Sequence, residues 1–146
     1  MMMKPTLLIV DDNEPLLRLL KSIFDKQYTV FTASDGVEAI HILSRGIRPR
    51  LVLCDLNMQN IDGHELVAHL ATSRLYRDIP VILLTDAPST DDARPSANVA
   101  RILQKPFDPL HLLETANGVL AESPVATEAR KAALFSKGSL FTISKS

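Results

Sequence analysis

Four apolar runs in this 146-residue chain each end on a side chain suited to phosphate and metal chemistry. Thr6 to Val10 runs into Asp11 and Asp12, Leu51 to Cys54 into Asp55, Val81 to Leu84 into Thr85, and Ala100 to Gln104 into Lys105. Carboxylates brought to one place repel, and at least one must take a raised pKa unless a cation intervenes. A divalent ion resolves the conflict. Mg2+ prefers hard oxygen ligands, keeps several waters and takes one or two carboxylates with phosphate oxygens, which suits Asp11, Asp12 and Asp55; zinc wants Cys and His ligands that this pattern lacks. One carboxylate can also be a nucleophile. Asp55 ends a wholly apolar run, which places it centrally in a sheet, and is the best candidate to attack a phosphoryl group and form an acyl phosphate. Lys105 offers a compact positive charge for the equatorial oxygens in phosphoryl transfer, and Thr85 a hydroxyl for one of them. Pro106 permits a cis bond after Lys105, with trans the default for an isolated X-Pro bond. Taken singly, each has a structural reading as well: Asp-Asp as a turn or helix cap, Thr85 as a strand end, Lys-Pro as surface.

Bringing these positions together requires strands whose carboxyl ends face one crevice, as in an open parallel sheet. Leu7 to Val10 is a continuous apolar run, too short for a helix and typical of a strand buried on both faces. Asn13 can cap a following helix, Pro15 suits its first turn, and Leu16, Leu17, Leu19, Leu20, Ile23 and Phe24 recur at helical spacing. Tyr28, Val30 and Phe31 mark a second strand. Ser34-Asp35-Gly36 is a turn before a short helix over Val37, Ala39, Ile40, Ile42 and Leu43, stopped near Gly46 and Pro49. The unit repeats with a strand at Leu51 to Asp55, a loop ending at Asp62-Gly63, a helix over Leu66, Val67, Leu70 and Leu75, and a strand at Val81 to Leu84. Between Asp86 and Val99 the pattern weakens, so a fourth helix there is expected to be short or irregular. Ala100 to Leu103 is a fifth strand, and Asp108-Pro109 opens a last helix through Leu120. This alternation predicts an α/β fold, a parallel sheet with helices on both faces.

One domain is expected at this length, with 46% apolar residues for its core. The formal charge of −1 hides an asymmetry: residues 123 to 146 carry a net +3 and the rest −4. An acidic body argues against nucleic acid as partner. The one cysteine, Cys54, sits in an apolar run and reads as a buried, inert thiol. Neither a signal peptide nor a membrane span is present in the reading, and a cytoplasmic setting is expected. The C-terminal segment 122–146 is read as a tail, in part helical from Ser123-Pro124 to Gly138, with no room for an output domain. His41, His64, His69 and His111 read as solvated, and Arg45, Arg48 and Arg50 as a small basic loop cluster.

Val10-Asp11-Asp12, Asp55-Leu56-Asn57-Met58 followed by Asp62-Gly63, Ile79-Pro80-Val81 leading to Thr85, and Lys105-Pro106-Phe107 together resemble the receiver domain of bacterial two-component response regulators, over residues 4–121. The resemblance implies a flavodoxin-like, doubly wound five-stranded sheet of order 2-1-3-4-5. It implies Asp55 as phosphoacceptor from a sensor histidine kinase or phosphotransfer protein, with Thr85 and Lys105 contacting the phosphoryl group. Mg2+ is then expected on Asp12 and Asp55, on the backbone carbonyl of Asn57, and on Asp11 through water.

Departures cluster toward the fourth helix and fifth strand. Ile102 stands where the family usually has an aromatic residue, Asp86 follows Thr85 where a small residue is normal, Gln59 replaces a common proline, and the usual Gly-Ala before the fifth strand is missing. The expected function is a stand-alone receiver, monomeric or weakly dimeric, signalling to a downstream protein whose identity stays open. The alternative is a phosphorylation-independent interaction or scaffold module. Enzymatic turnover of small molecules is not expected: aspartate-based phosphatases commonly carry a second aspartate two residues on, and Asn57 there cannot exchange a proton.

Overall fold

The computed structural model describes residues 3–58, 62–86 and 96–122. Five parallel strands, β1 Thr6–Val10, β2 Thr29–Ala33, β3 Leu51–Asp55, β4 Val81–Thr85 and β5 Val99–Gln104, form one sheet of order β2-β1-β3-β4-β5. The helices are α1 Glu14–Phe24, α2 Gly36–Ser44, α3 Gly63–Ala71 and α4 Pro109–Glu122. The fold class and strand order expected from the residues and the resemblance hold. The segment between Asp86 and Val99 expected to carry a short or irregular helix falls largely outside the described residues, as do Gln59 and the tail from Ser123.

The core forms because β1, β3 and β4 are apolar on both faces. Leu8, Val10, Val52, Cys54, Val81 and Leu83 pack with α2 and α3 on one side. Leu7, Ile9, Leu51, Leu53, Ile82 and Leu84 alternate with them and pack with Leu17, Leu20 and Phe24 of α1 and Leu112, Ala116 and Val119 of α4 on the other. β5 is an edge strand, with Arg101, Ile102 and Gln104 exposed.

Helix starts match their capping residues. Asn13 accepts from the Leu16 N–H at 3.0 Å, Asp35 from Glu38 at 2.8 Å, and Asp62 from Glu65 at 3.0 Å, the last completed by Glu65 accepting from the Asp62 N–H. Two boundaries differ from the sequence reading. Tyr28 precedes β2 and packs its ring on Phe24, with centroids 5.4 Å apart, while its hydroxyl binds Asn117 of α4. Leu75 lies outside α3, which ends at Ala71, and is 55% exposed. Ser73 explains that stop: its Oγ accepts from the Leu75 N–H at 3.1 Å, offering the backbone an alternative to another helical turn.

Candidate functional site

The strand order reverses between β1 and β3, because β1 connects outward to β2 while β3 lies on its other side. Residues just beyond these two strands therefore face a common crevice. Asp11 and Asp12 follow β1, and Asp55 closes β3. One carboxylate oxygen from each of the three lies within 4.8 Å of the others. Asp11 is fully buried and Asp55 2% exposed, whereas Asp12 faces solvent.

The loops hold these side chains by local bonds. Asp11 Oδ1 accepts from the Asn13 N–H at 2.9 Å, and Asp55 Oδ1 from the Asn57 N–H at 3.2 Å. Asn13 thus caps α1 with its side chain and anchors Asp11 with its backbone. Lys105, arriving from the far edge of the sheet, donates its Nζ to Asp11 Oδ2 at 2.9 Å and lies 3.4 Å from Asp55 Oδ1. Its own N–H donates to the carbonyl of buried Thr85 at 2.7 Å, which sets β4 and β5 side by side at this end. The Lys105-Pro106 peptide bond is cis.

Crowding of like charges appears in the titration of Asp55, whose pKa is pushed up to about 6. Burial is the main cause and the Asp11 charge the second; Lys105 and the Asn57 N–H pull it back. Burial disfavours the Lys105 ammonium, but hydrogen bonding to Asp11 and the charges of Asp11 and Asp55 outweigh that and hold its pKa above the ordinary value. Burial, followed by the neighbouring carboxylates, raises the Cys54 thiol far from reactivity.

The donors are hard carboxylate oxygens, their repulsion only partly offset by one ammonium, and the exposed Asp12 leaves room for retained water. Such a set fits Mg2+. The four strand ends singled out from the sequence meet here, with Asn57 beside them; the histidines stay exposed and apart. A cavity of about 430 Å³ next to Lys105 is lined by Asn13, Leu16, Asp86 and Phe107, among others, which places the unexpected carboxylate of Asp86 on the same cleft.

Sequence reasoning missed the role of Gly63. A Cβ on it would stand 2.5 Å from the Asp55 carbonyl oxygen and 2.6 Å from Leu56 Cα, so only glycine lets the start of α3 close on the end of β3. The sequence marks Asp62-Gly63 as the end of a loop, but this contact depends on the fold.

The model of the response regulator receiver domain matches residues 7–117. The chain belongs to that family. Aspartate phosphorylation and Mg2+ at an acidic pocket are general to receiver domains, as is interaction with histidine kinases or phosphotransfer proteins. This receiver is 39% identical over 82 residues to hybrid signal transduction histidine kinase D of Dictyostelium discoideum, an alignment covering 56% of this chain and 5% of that protein. It is 30% identical over 118 residues to a chemotaxis protein CheY homolog of Campylobacter jejuni, covering 78% of this chain and 91% of that one. Among solved structures, Vibrio cholerae chemotaxis protein CheY4 superposes with a TM-score of 0.73 at 28% identity, over 80% of this chain and 99% of its own. The receiver thus spans a small fraction of the hybrid kinase and nearly all of the two chemotaxis proteins.

Proposed function

We propose that Asp55 accepts a phosphoryl group from a histidine of a sensor kinase or phosphotransfer protein, and that the phosphorylated receiver signals by binding a downstream protein. The observation carrying this reading is the convergence of Asp11, Asp12 and Asp55 with Lys105 at the switch point of the sheet. The Asp55 carboxylate attacks phosphorus, the bond from phosphorus to the donor imidazole nitrogen breaks, and that nitrogen keeps the electron pair; the product is an acyl phosphate. Both contacts of the Asp55 carboxylate among the described residues fall on Oδ1, so Oδ2 is the oxygen to turn on phosphorus. Lys105 is positioned to follow charge from carboxylate to phosphoryl oxygens, and the Thr85 hydroxyl to donate to one of them. Asp12, Asp55 and the Asn57 carbonyl, with Asp11 through water, would hold Mg2+, which when bound neutralises charge on the carboxylates and the phosphoryl group. Phosphorylation then favours whichever conformer interacts better with the modified site.

Asn57 argues against turnover of small phosphoesters, since an amide cannot serve as acid or base. Among the described residues no helix is long and apolar enough to cross a membrane, and a cytoplasmic location goes with this reading.

A second reading, a receiver-fold interaction module indifferent to phosphate, is favoured by Ile102. It is 38% exposed on β5, and its aliphatic side chain offers no ring to follow Thr85. One experiment separates the two. Incubated with Mg2+ and acetyl phosphate, the protein gains the mass of one phosphoryl group and Asp55→Ala gains none; absence of a mass shift in the wild type with several donors selects the second reading.

A further inference from the structure

The loops entering β3 and β4 lie at the amino ends of those strands, opposite the carboxylates. Five-residue strands separate the two ends by about 15 Å. Both loops are rich in arginine: Arg45, Arg48 and Arg50 before β3, Arg74 and Arg77 before β4. All five are exposed, and none forms a salt bridge among the described residues, whereas Arg18 pairs with Glu14 and Arg101 with Glu122. Three of the five, Arg48, Arg50 and Arg77, line recesses at this end. Arg48, Arg50, Leu75, Asp78, Ile79 and Pro80 line a cavity of about 260 Å³. A second, of about 280 Å³, shares Asp78, Ile79 and Pro80 and adds Arg77 and Asn98. Asn98 is only 8% exposed, and its Oδ1 has no hydrogen-bond partner among the described residues.

This end is held rigid. The Tyr76 hydroxyl donates to the Leu43 carbonyl at 3.1 Å, joining the β4 loop to the end of α2, and the Arg50 N–H donates to the Thr6 carbonyl at 2.8 Å. Unpaired guanidiniums on a fixed frame lose little entropy on binding and match carboxylates in a bidentate fork. Leu75 and Ile79 supply an apolar wall between them.

We propose that this arginine-rimmed recess docks an acidic peptide segment of a partner protein, in which carboxylates alternate with aliphatic side chains. Charge complementarity and the mixed lining select this occupant. Carboxylates meet the guanidiniums while an aliphatic side chain covers Leu75 and Ile79. A duplex or an anionic lipid surface presents closely spaced phosphates with no aliphatic side chain between them to cover Leu75 and Ile79.

The test uses the full chain and a labelled peptide of alternating glutamate and leucine, read by fluorescence anisotropy. Expected are saturable binding that weakens as salt rises, a loss of about tenfold or more in Arg48→Glu/Arg50→Glu and a smaller loss in Arg48→Gln/Arg50→Gln. Affinity stays unchanged in Arg18→Glu, and each variant's melting temperature verifies its fold. No peptide binding, or equal binding by the arginine variants, overturns the proposal. So does tighter binding to a DNA duplex or to phosphatidylserine vesicles, or self-association abolished by Arg48→Glu/Arg50→Glu, which would make a second copy the occupant.

Discussion

Asp55 is asked to be a buried carboxylate beside another carboxylate and still to ionise. Its folded pKa of about 6 lies above the ordinary 3.8. The folded protein therefore holds a proton between these values that the unfolded chain has released, and the metal-free protein loses stability as pH rises from about 4 to 6. Asp55→Asn removes that dependence. In chelator, urea melts should find the variant more stable than wild type by about 1 to 3 kcal/mol at pH 7.5, with most of the difference gone at pH 4. Lys105→Ala acts in the opposite direction: Asp11 Oδ2 is left buried without its ammonium, and stability at pH 7 should fall by roughly 2 kcal/mol. The Asp55 titration, followed by carboxyl NMR, should also move further up, because Lys105 pulls it down in the wild type.

Among the elements, the join between β3 and α3 is the least forgiving. In Gly63→Ala the new methyl meets the Asp55 carbonyl and Leu56 Cα, both backbone, so relief requires α3 to move away from the phosphoacceptor. A cost of about 2 kcal/mol in thermal or urea unfolding is expected, with phosphorylation by acetyl phosphate slowed about tenfold as the site loosens. Such contacts explain what the residues did and did not disclose. The strand ends were legible because Asp55, Thr85 and Lys105 interrupt runs too apolar to be anything but buried, and α1 because Asn13 and Pro15 announce it. Leu75 stands five positions after Leu70, off the face that Leu66 and Leu70 share, and the Ser73 bond shows the chain leaving the helix before it. Gly63 looked like an ordinary turn residue because its partners are backbone atoms of another element. The bond from Lys105 to Asp11 was equally hidden, since charge type is visible in a chain and proximity is not.

At the scale of the molecule, charge is sorted along the strands, with a carboxylate cluster at one end of the sheet and, at the other, arginines that form no salt bridge among the described residues. A divalent ion should therefore stabilise the fold from the acidic end alone. Calorimetry at rising Mg2+ should show the melting temperature of the wild type climbing, with about 3 kcal/mol gained at a hundredfold excess over Kd; Asp12→Ala should lose most of that response. The contact between Lys105 and Asp11 joins residues 94 positions apart in the sequence. A ribosome that has delivered β1 and β3 has made both buried carboxylates but not the cation that quiets them. The acceptor pocket is thus complete only after the edge strand has docked, and a nascent or truncated chain lacking β5 carries the phosphoacceptor in a pocket without its lysine.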